Sequence, residues 1–294
     1  MAHQDLERVT GTTRAIAILG YPISHSLSPR LHNAAFAAAG LDYVYLAHNV
    51  RPEDLETVVR GLRAAGYAGI TLTSPHKQAV IPLLDDLTEE ARAIGAVNTV
   101  ADRGGRWVGT NTDATGFRRL LELNDLYRPG MKAVMLGAGG AARAGLYVLG
   151  RVAGQVVVLN RTLERAQELL RSLSPHQGSC RWEALPLEGE ILAAHLEDAD
   201  LLVNTTTVGM HPDDDGCPVP EGVRIPQRCG VVDMIYHPPR TRLLQLAERS
   251  GARAVSGHEM LLHQAVDAFR FWTGVEPDFA VMDRALRSAL SGRT

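Results

Sequence analysis

Lysine is nearly missing from this chain. Of its 30 basic side chains, all but Lys77 and Lys132 are arginine. Lysine can lose its proton at accessible cost, whereas guanidinium stays charged. A lysine kept where arginine is the default is therefore a candidate acid/base. Composition by itself favours chance survival, so position has to decide. Cysteine is scarce too. Cys180, Cys217 and Cys229 are odd in number and widely spaced. They suit no disulfide framework and no CxxC metal pair, and read as small buried or loop residues of a cytoplasmic protein. No stretch approaches the roughly 18–20 continuous apolar residues of a membrane span. Charge is nearly balanced, at -3 with a pI near 6.4, so there is no basic field to recruit nucleic acid. Residues 1–14 are polar, lack the apolar core of a signal peptide, and are expected to fray ahead of the first strand.

What the chain does have is a globular composition, with 45% hydrophobic and 21% charged residues over 294 positions. That length builds one large or two medium domains. Short apolar β-rich runs at 15–20, 43–50 and 68–73 alternate with helical patterns at 28–39 and 52–65. Ser28-Pro29 reads as an N-cap followed by proline in the first helical position. Runs at 96–101 and 106–109 flank Asp102-Arg103-Gly104-Gly105 as a hairpin. A second series starts at Lys132, with strands at 133–136, 155–159, 200–204 and 231–235, and helices from the glycine-rich turn to about 150 and at 163–173. Residues 211–226, rich in Pro and Asp, read as a surface loop. Amphipathic helices at 258–271 and 278–290 close the chain. Strands alternating with helices imply α/β units with parallel pairing.

The second series carries a cofactor signal. Gly137-x-Gly139-x-x-Ala142 follows an apolar strand and opens a helix, which fits the dinucleotide fingerprint with alanine in third place. Gly137 permits the tight turn. Gly139 lets the backbone approach a pyrophosphate seated on the helix N-terminus. The second strand then decides the nucleotide. NAD sites place a carboxylate at its end for the ribose 2′-OH; here the end reads Asn160-Arg161-Thr162, with Arg165 one turn on. Two arginines suit a 2′-phosphate, so the cofactor is expected to be NADP.

Polar residues also gather at strand ends of the first series. Ser24, Ser26 and Ser28 lie at a strand-to-helix junction, Lys77 in Thr73-Ser74-Pro75-His76-Lys77 where a strand runs into a turn and helix, and Asn98 in a strand. Asn111-Thr112-Asp113 follows the hairpin. Hydroxyls, amides, one lysine and one carboxylate suit a polyhydroxylated small acid. The histidines form no compact HxH or HxxxH set, so no metal is expected.

These segments resemble the shikimate dehydrogenase family. The likeness runs through Gly20-x-Pro22-x-x-His25-Ser26-x-Ser28-Pro29, Thr73-x-Pro75-x-Lys77, Gly95-Ala96-Val97-Asn98-Thr99 and Gly109-x-Asn111-Thr112-Asp113. It continues through Gly137-Ala138-Gly139-Gly140-Ala141, Asn160-Arg161-Thr162, Val203-Asn204, Val232-Asp233-Met234-Ile235-Tyr236 and Gly257-x-x-Met260-Leu261-x-x-Gln264. Ordered motifs at this density are far more specific than any single one.

The resemblance implies a two-domain α/β fold. Residues 1–112 with 258–294 would form the substrate domain and 113–257 a Rossmann NADP domain, the C-terminal helices returning to the first and the active site lying in the cleft. It implies reversible hydride transfer between NADPH and the 3-keto group of 3-dehydroshikimate, giving shikimate on the route to chorismate and the aromatic amino acids. By position, Lys77 and Asp113 form the acid/base pair. Ser26, Ser28, Thr73, Asn98, Tyr236 and Gln264 hold the substrate's carboxylate and hydroxyls. Gly137, Ala138, Gly139, Gly140, Ala141, Asn160, Arg161, Thr162, Arg165, Met234 and Gly257 contact NADP. A cytoplasmic monomer or homodimer is expected.

Three departures bear on substrate preference. Thr71 stands where the family often has Asn, Ser74 replaces a commonly aliphatic residue, and Asn204-Thr205-Thr206-Thr207 stands for Asn-Ala-Thr-Ser. A quinate/shikimate or aminoshikimate dehydrogenase is the near alternative. A non-catalytic NADP-binding regulatory module is the distant one, although it need not keep both Lys77 and Asp113.

Overall fold

The computed structural model describes residues 9–291. In chain order the elements are β1 (Arg14–Gly20), α1 (Ser28–Ala38), β2 (Tyr43–Asn49), α2 (Leu55–Ala64), β3 (Gly69–Leu72), β4 (Asp86–Leu87), α3 (Glu89–Ile94), β5 (Thr99–Arg103), β6 (Arg106–Thr110) and α4 (Thr112–Leu123). They continue with β7 (Lys132–Leu136), α5 (Gly140–Leu149), β8 (Gln155–Asn160), α6 (Leu163–Leu173), β9 (Arg181–Pro186), α7 (Gly189–Leu196), β10 (Leu201–Asn204), β11 (Gly230–Asp233), α8 (Arg242–Arg249), β12 (Ala254–Ser256), α9 (His258–Thr273) and α10 (Phe279–Ser291). The chain divides into two compact units. One holds the chain up to Arg92, Ala96–Thr112 and everything from Gln264; the other holds Ala93–Gly95 and Asp113–His263.

The sheet of the first unit has the order β2-β1-β3-β5-β6-β4. β1 pairs in parallel with β2 and β3, while β5 runs antiparallel to β3 and β6. One face buries Ala17, Leu19, Ile70, Leu72 and Trp107 against Leu55 and Val59 of α2. On another side lie stacked rings: His32 on Tyr45 at 4.6 Å, Phe36 on Phe269 at 5.0 Å, and Trp272 edge-on to His32 at 5.0 Å. The rings come from α1, β2 and the end of α9, and α10 packs against α1, so both C-terminal helices contribute to this unit.

The second unit is a six-stranded sheet, β12-β11-β10-β7-β8-β9, parallel throughout. Its central strands are short Val/Leu runs because helices cover both faces of such a sheet. The order reverses between β7 and β10, the switch point outside whose strand ends ligands of open α/β sheets bind.

Several local expectations shift. Ser28 is the first helical residue and Leu27 the cap, whose side chain makes no capping bond; Ser26 Oγ instead accepts from Ser28 N at 3.3 Å. The helix expected after Lys77 is a run of turns ending in a single 3₁₀ turn, Ile81–Leu83. Only six residues separate Pro75 from Pro82, too few to repay helix nucleation. β4, β9 and β12 carry too short an apolar pattern to read and form by pairing with β6, β8 and β11. In the expected leader, Thr12 and Thr13 hydroxyls donate to the Asp42 carboxylate at 2.8 and 2.6 Å, which pins the approach to β1; residues 1–8 lie outside the described residues.

Candidate active site

In the first unit, one end of the sheet collects the polar residues. β1 and β3 end there and the antiparallel β5 begins there. Gly20 closes β1. A Cβ on it would come within 2.4 Å of Thr73 Cγ2 and 2.8 Å of Ile23 Cδ1, so glycine leaves room for Thr73. The Thr73 amide donates to Leu19 O at 3.0 Å, and the Tyr21 amide to Ser74 O at 3.1 Å. These bonds draw the segment carrying Ser26 and Ser28 alongside the turn after β3. Ser28 is buried; Ser26 and Thr73 are half-buried.

Lys77 is half-buried in that turn, and its carbonyl accepts from Val97 N at 2.7 Å. Asn98 follows, and its own carbonyl accepts from Leu72 N at 2.8 Å. The lysine turn and the Asn98 strand are thus stapled through their backbones. Asn98 is buried, and its amide meets both Thr112 and Gln264: Nδ2 donates to Thr112 Oγ1 at 2.9 Å and to Gln264 Oε1 at 3.3 Å. Asn111 is buried and donates from Nδ2 to Ala96 O at 2.9 Å. Ser26, Ser28, Thr73, Lys77, Asn98 and Gln264 therefore belong to one polar end of one sheet.

Thr71 is buried in β3, and its hydroxyl is hydrogen-bonded to the Tyr45 hydroxyl. Tyr45 in turn carries His32 on its ring. Burial holds the His32 imidazole down at about 3, so it is neutral. Its Nδ1 has no hydrogen-bond partner among the described residues.

The second unit presents its own polar edge at the ends of β7, β8, β10 and β11. Gly137 follows β7 at φ +103°, where a Cβ would lie 2.7 Å from Thr205 Oγ1 and 2.9 Å from Thr206 Cγ2. Both the backbone angle and the approach of the β10 turn require glycine. Gly139 differs: a Cβ there meets nothing within 4 Å. Internal packing does not explain its glycine, and the open space above it is where an anion can reach the backbone. Gly140 and Ala141 open α5, and the first N–H groups of a helix have no intrahelical acceptor. The third fingerprint position, Ala142, is fully buried.

At the end of β8, Asn160 Nδ2 donates to Thr162 O at 2.7 Å and closes the turn. Arg161 and Arg165 are exposed, and neither makes a hydrogen bond or ion pair with the described residues. Most other arginines here are paired, as Arg240 is with Glu248. Two unneutralised guanidiniums beside an open glycine turn form a fitting seat for a ribose phosphate and pyrophosphate.

Gly257 lets β12 pass close to β11: a Cβ would fall 2.3 Å from Met234 O. Met234 and Tyr236 are half-buried in the segment after β11. Asp113, buried at 6% exposure, stands in the first turn of α4.

Sequence reasoning missed two features. Asn204 and Asp233 had no assigned role, yet they anchor a buried network. The fully buried Asp233 accepts from Asn204 Nδ2 at 2.9 Å, Ile235 N at 3.1 Å and Thr241 Oγ1 at 2.6 Å. Burial pushes its carboxyl up to about 6 despite these three donors. A carboxylate ending a Val-Val run was the available signal. Arg143 was likewise unassigned; it donates from Nε to Ile94 O at 2.7 Å.

Known proteins share this architecture. Residues 18–100 match the family model of the shikimate dehydrogenase substrate binding domain, and residues 257–287 that of the shikimate 5′-dehydrogenase C-terminal domain. The shikimate dehydrogenase (NADP(+)) of Methanopyrus kandleri is 45% identical over 280 residues, covering 95% of this chain and 96% of that protein. That of Geobacter metallireducens is 44% identical over 287 residues, covering 96% and 99%. The crystal structure of shikimate 5-dehydrogenase from Thermus thermophilus in complex with NADP(H) and shikimate is 38% identical, with a TM-score of 0.81 over 95% of this chain and 100% of that one.

Proposed function

This chain belongs to the shikimate dehydrogenase family, and from that premise we propose that it reduces 3-dehydroshikimate reversibly to shikimate with NADPH. The observation that carries the reading is the setting of Lys77. It stands in a turn stapled to the Asn98 strand at the polar end of the first sheet. The other lysine, Lys132, lies in β7 and is paired with Asp198.

The second unit is the NADP-binding unit and the first holds the substrate. Gly137, Ala138, Gly139, Gly140 and Ala141 cradle the pyrophosphate. Asn160, Arg161, Thr162 and Arg165 hold the adenosine phosphate end, and Met234 and Gly257 flank the nicotinamide end. When bound, NADPH supplies the hydride. Ser26, Ser28, Thr73, Asn98, Tyr236 and Gln264 bind the carboxylate and ring hydroxyls. Reduction of a ketone builds negative charge on its oxygen. The Lys77 ammonium stabilises that charge and donates a proton to the oxygen, and accepts it in the reverse direction. Asp113 is its proposed partner in the acid/base pair.

The three free cysteines support a reducing compartment, and the reading places the chain in the cytoplasm as a monomer or homodimer, with shikimate and 3-dehydroshikimate as its small-molecule partners.

The test is an NADP-coupled assay with shikimate and, separately, quinate, following NADPH absorbance. Shikimate turnover is expected. Lys77→Ala and Lys77→Arg are both expected to lower kcat by ~10²–10⁴-fold, the usual share of general acid/base catalysis, with little change in KM. No turnover of shikimate, or a Lys77→Arg enzyme near full activity, rejects the reading of Lys77 as the proton donor.

A further inference from the structure

We infer that Thr112 is a positioning residue for the substrate: its hydroxyl and amide together fix which way the Asn98 and Gln264 side-chain amides point. The inference rests on the reading of Asn98 and Gln264 as substrate contacts, and assigns a role to a residue that has none in it.

Thr112 is buried at 5% exposure and meets the Asn98 amide at both ends. Its backbone N donates to Asn98 Oδ1 at 2.8 Å, and its Oγ1 accepts from Asn98 Nδ2 at 2.9 Å. Reversing the Asn98 amide would set N–H against N–H at the first contact, so this bidentate pairing fixes one orientation.

The hydroxyl has one proton to give. Gln264 Oε1 lies at 3.3 Å, Asn98 Oδ1 at 3.4 Å and Thr99 Oγ1 at 3.5 Å, so Gln264 Oε1 is the nearest of three acceptors and Thr99 Oγ1 the farthest. Asn98 Oδ1 already accepts from Thr112 N and, at 3.2 Å, from Thr99 Oγ1, which fills its two lone pairs. The Thr112 proton therefore goes to Gln264 Oε1, which also accepts from Asn98 Nδ2 at 3.3 Å. Gln264 then turns its carbonyl oxygen to Thr112 and Asn98 and its Nε2 away from them. Thr112, through its backbone amide at Asn98 and its hydroxyl at Gln264, thus sets the donor and acceptor halves of two amides that come from positions 98 and 264. A polyhydroxylated ligand is recognised by just that polarity, because a site built to bond a hydroxyl discriminates through the groups it would leave unpaired.

The experiment compares Thr112→Val, Thr112→Ser, Asn98→Ala and Gln264→Ala in the full chain, with KM for shikimate, KM for NADP and kcat measured separately. Thr112→Val keeps the side chain's shape and the backbone donor but removes the hydroxyl. It is expected to raise KM for shikimate by about 10-fold, the scale of a lost hydrogen bond to an aligned polar group. KM for NADP and kcat stay within about 3-fold, because Thr112 moves no proton in the reaction. Thr112→Ser restores the hydroxyl and is expected to return KM close to wild type. Thr112→Ala gives the same readout if the valine variant does not fold.

If Asn98→Ala and Gln264→Ala raise KM for shikimate but Thr112→Val does not, the inference is overturned and the substrate reading stands. A Thr112→Ser enzyme as impaired as Thr112→Val also overturns it, because the hydroxyl is then not the cause. If Asn98→Ala and Gln264→Ala leave KM unchanged, the substrate reading itself falls and takes the inference with it.

Discussion

Asn204 and Asp233 are register partners at the ends of β10 and β11, and Asn204 Nδ2 donates to Asp233 Oδ1 at 2.9 Å. The opposite face of the Asn204 amide is also occupied: its Oδ1 accepts from Thr206 N at 3.0 Å and Thr206 Oγ1 at 2.7 Å. Thr241, the cap of α8, donates its hydroxyl to Asp233 Oδ2 and accepts from Leu244 N. A single buried carboxylate thus ties together the turn after β10, the segment after β11 and the start of α8. Thr206, which keeps the family's residue, is tied to this carboxylate through Asn204, while Thr205, which departs from it, donates from Oγ1 to Leu136 O at 2.7 Å.

The burial of Asp233 has a pH signature. Its folded-state value of about 6 exceeds the ordinary carboxylate range near 4. Between those values the folded state binds more protons than the unfolded state, so this group's contribution to stability falls as pH rises, and its full cost is reached above about pH 6. Asp233→Asn removes the titration. The melting temperature of the variant relative to wild type is therefore expected to rise from pH 4 to pH 7. A difference that stays flat across that range would count against a raised Asp233.

His32 acts in the opposite direction. Its folded-state value of about 3 lies below the ordinary histidine value near 6.5. The unfolded state binds the extra proton, so stability from this site is complete above about pH 6.5 and is lost as pH falls towards 3. His32→Leu abolishes the titration, whatever it costs in ring stacking. Wild type is expected to lose more melting temperature than the variant between pH 7.5 and pH 5. Parallel losses in the two proteins would show that His32 is not held neutral.

Arg161 and Arg165 are proposed to read the nucleotide. Replacing both with alanine is expected to raise KM for NADP by about 10–100-fold, as charge-assisted bonds to a phosphate are worth roughly 1.5–3 kcal/mol each before screening. KM for NAD should change by no more than about 3-fold, because NAD offers no 2′-phosphate to pair. The NADP effect should shrink at high salt, since both side chains are exposed. Equal losses for the two nucleotides in steady-state kinetics would assign these arginines to general binding.

The fold was legible wherever a local pattern was strong. The Val/Leu runs of β7, β8, β10 and β11 announced strands buried on both faces. The glycine fingerprint announced the turn into α5, and the Asp-Arg-Gly-Gly turn announced the β5–β6 hairpin. β9 and β12 were not legible, because the alternation of Arg181–Pro186 lasts only four residues before Leu185-Pro186 breaks it and Ala254–Ser256 is only three residues long; both exist by adding to β8 and β11. The segment after Lys77 reads locally as a helix, but Pro75 and Pro82 bracket only six residues, which form turns. Thr71 raised a question of substrate contact, and the structure shows its hydroxyl bonded to Tyr45, from a strand that β1 separates from its own.

The sequence by itself determined which residue types stand at the strand ends, that the second half follows a dinucleotide-binding pattern, and that Lys77 rather than Lys132 has the company of a polar site. Those facts are carried by spacing within one turn or one strand. Only the tertiary structure decided the polarity of the Asn98 and Gln264 amides, the neutrality of His32 and the raised carboxyl of Asp233. Each depends on groups far away in the chain: Gln264 lies 166 positions from Asn98, and Trp272 reaches His32 from the last turns of α9. An amide's orientation and a buried group's charge are set by what the completed fold places around them. No short-range pattern encodes that environment, because the partners are brought together by packing.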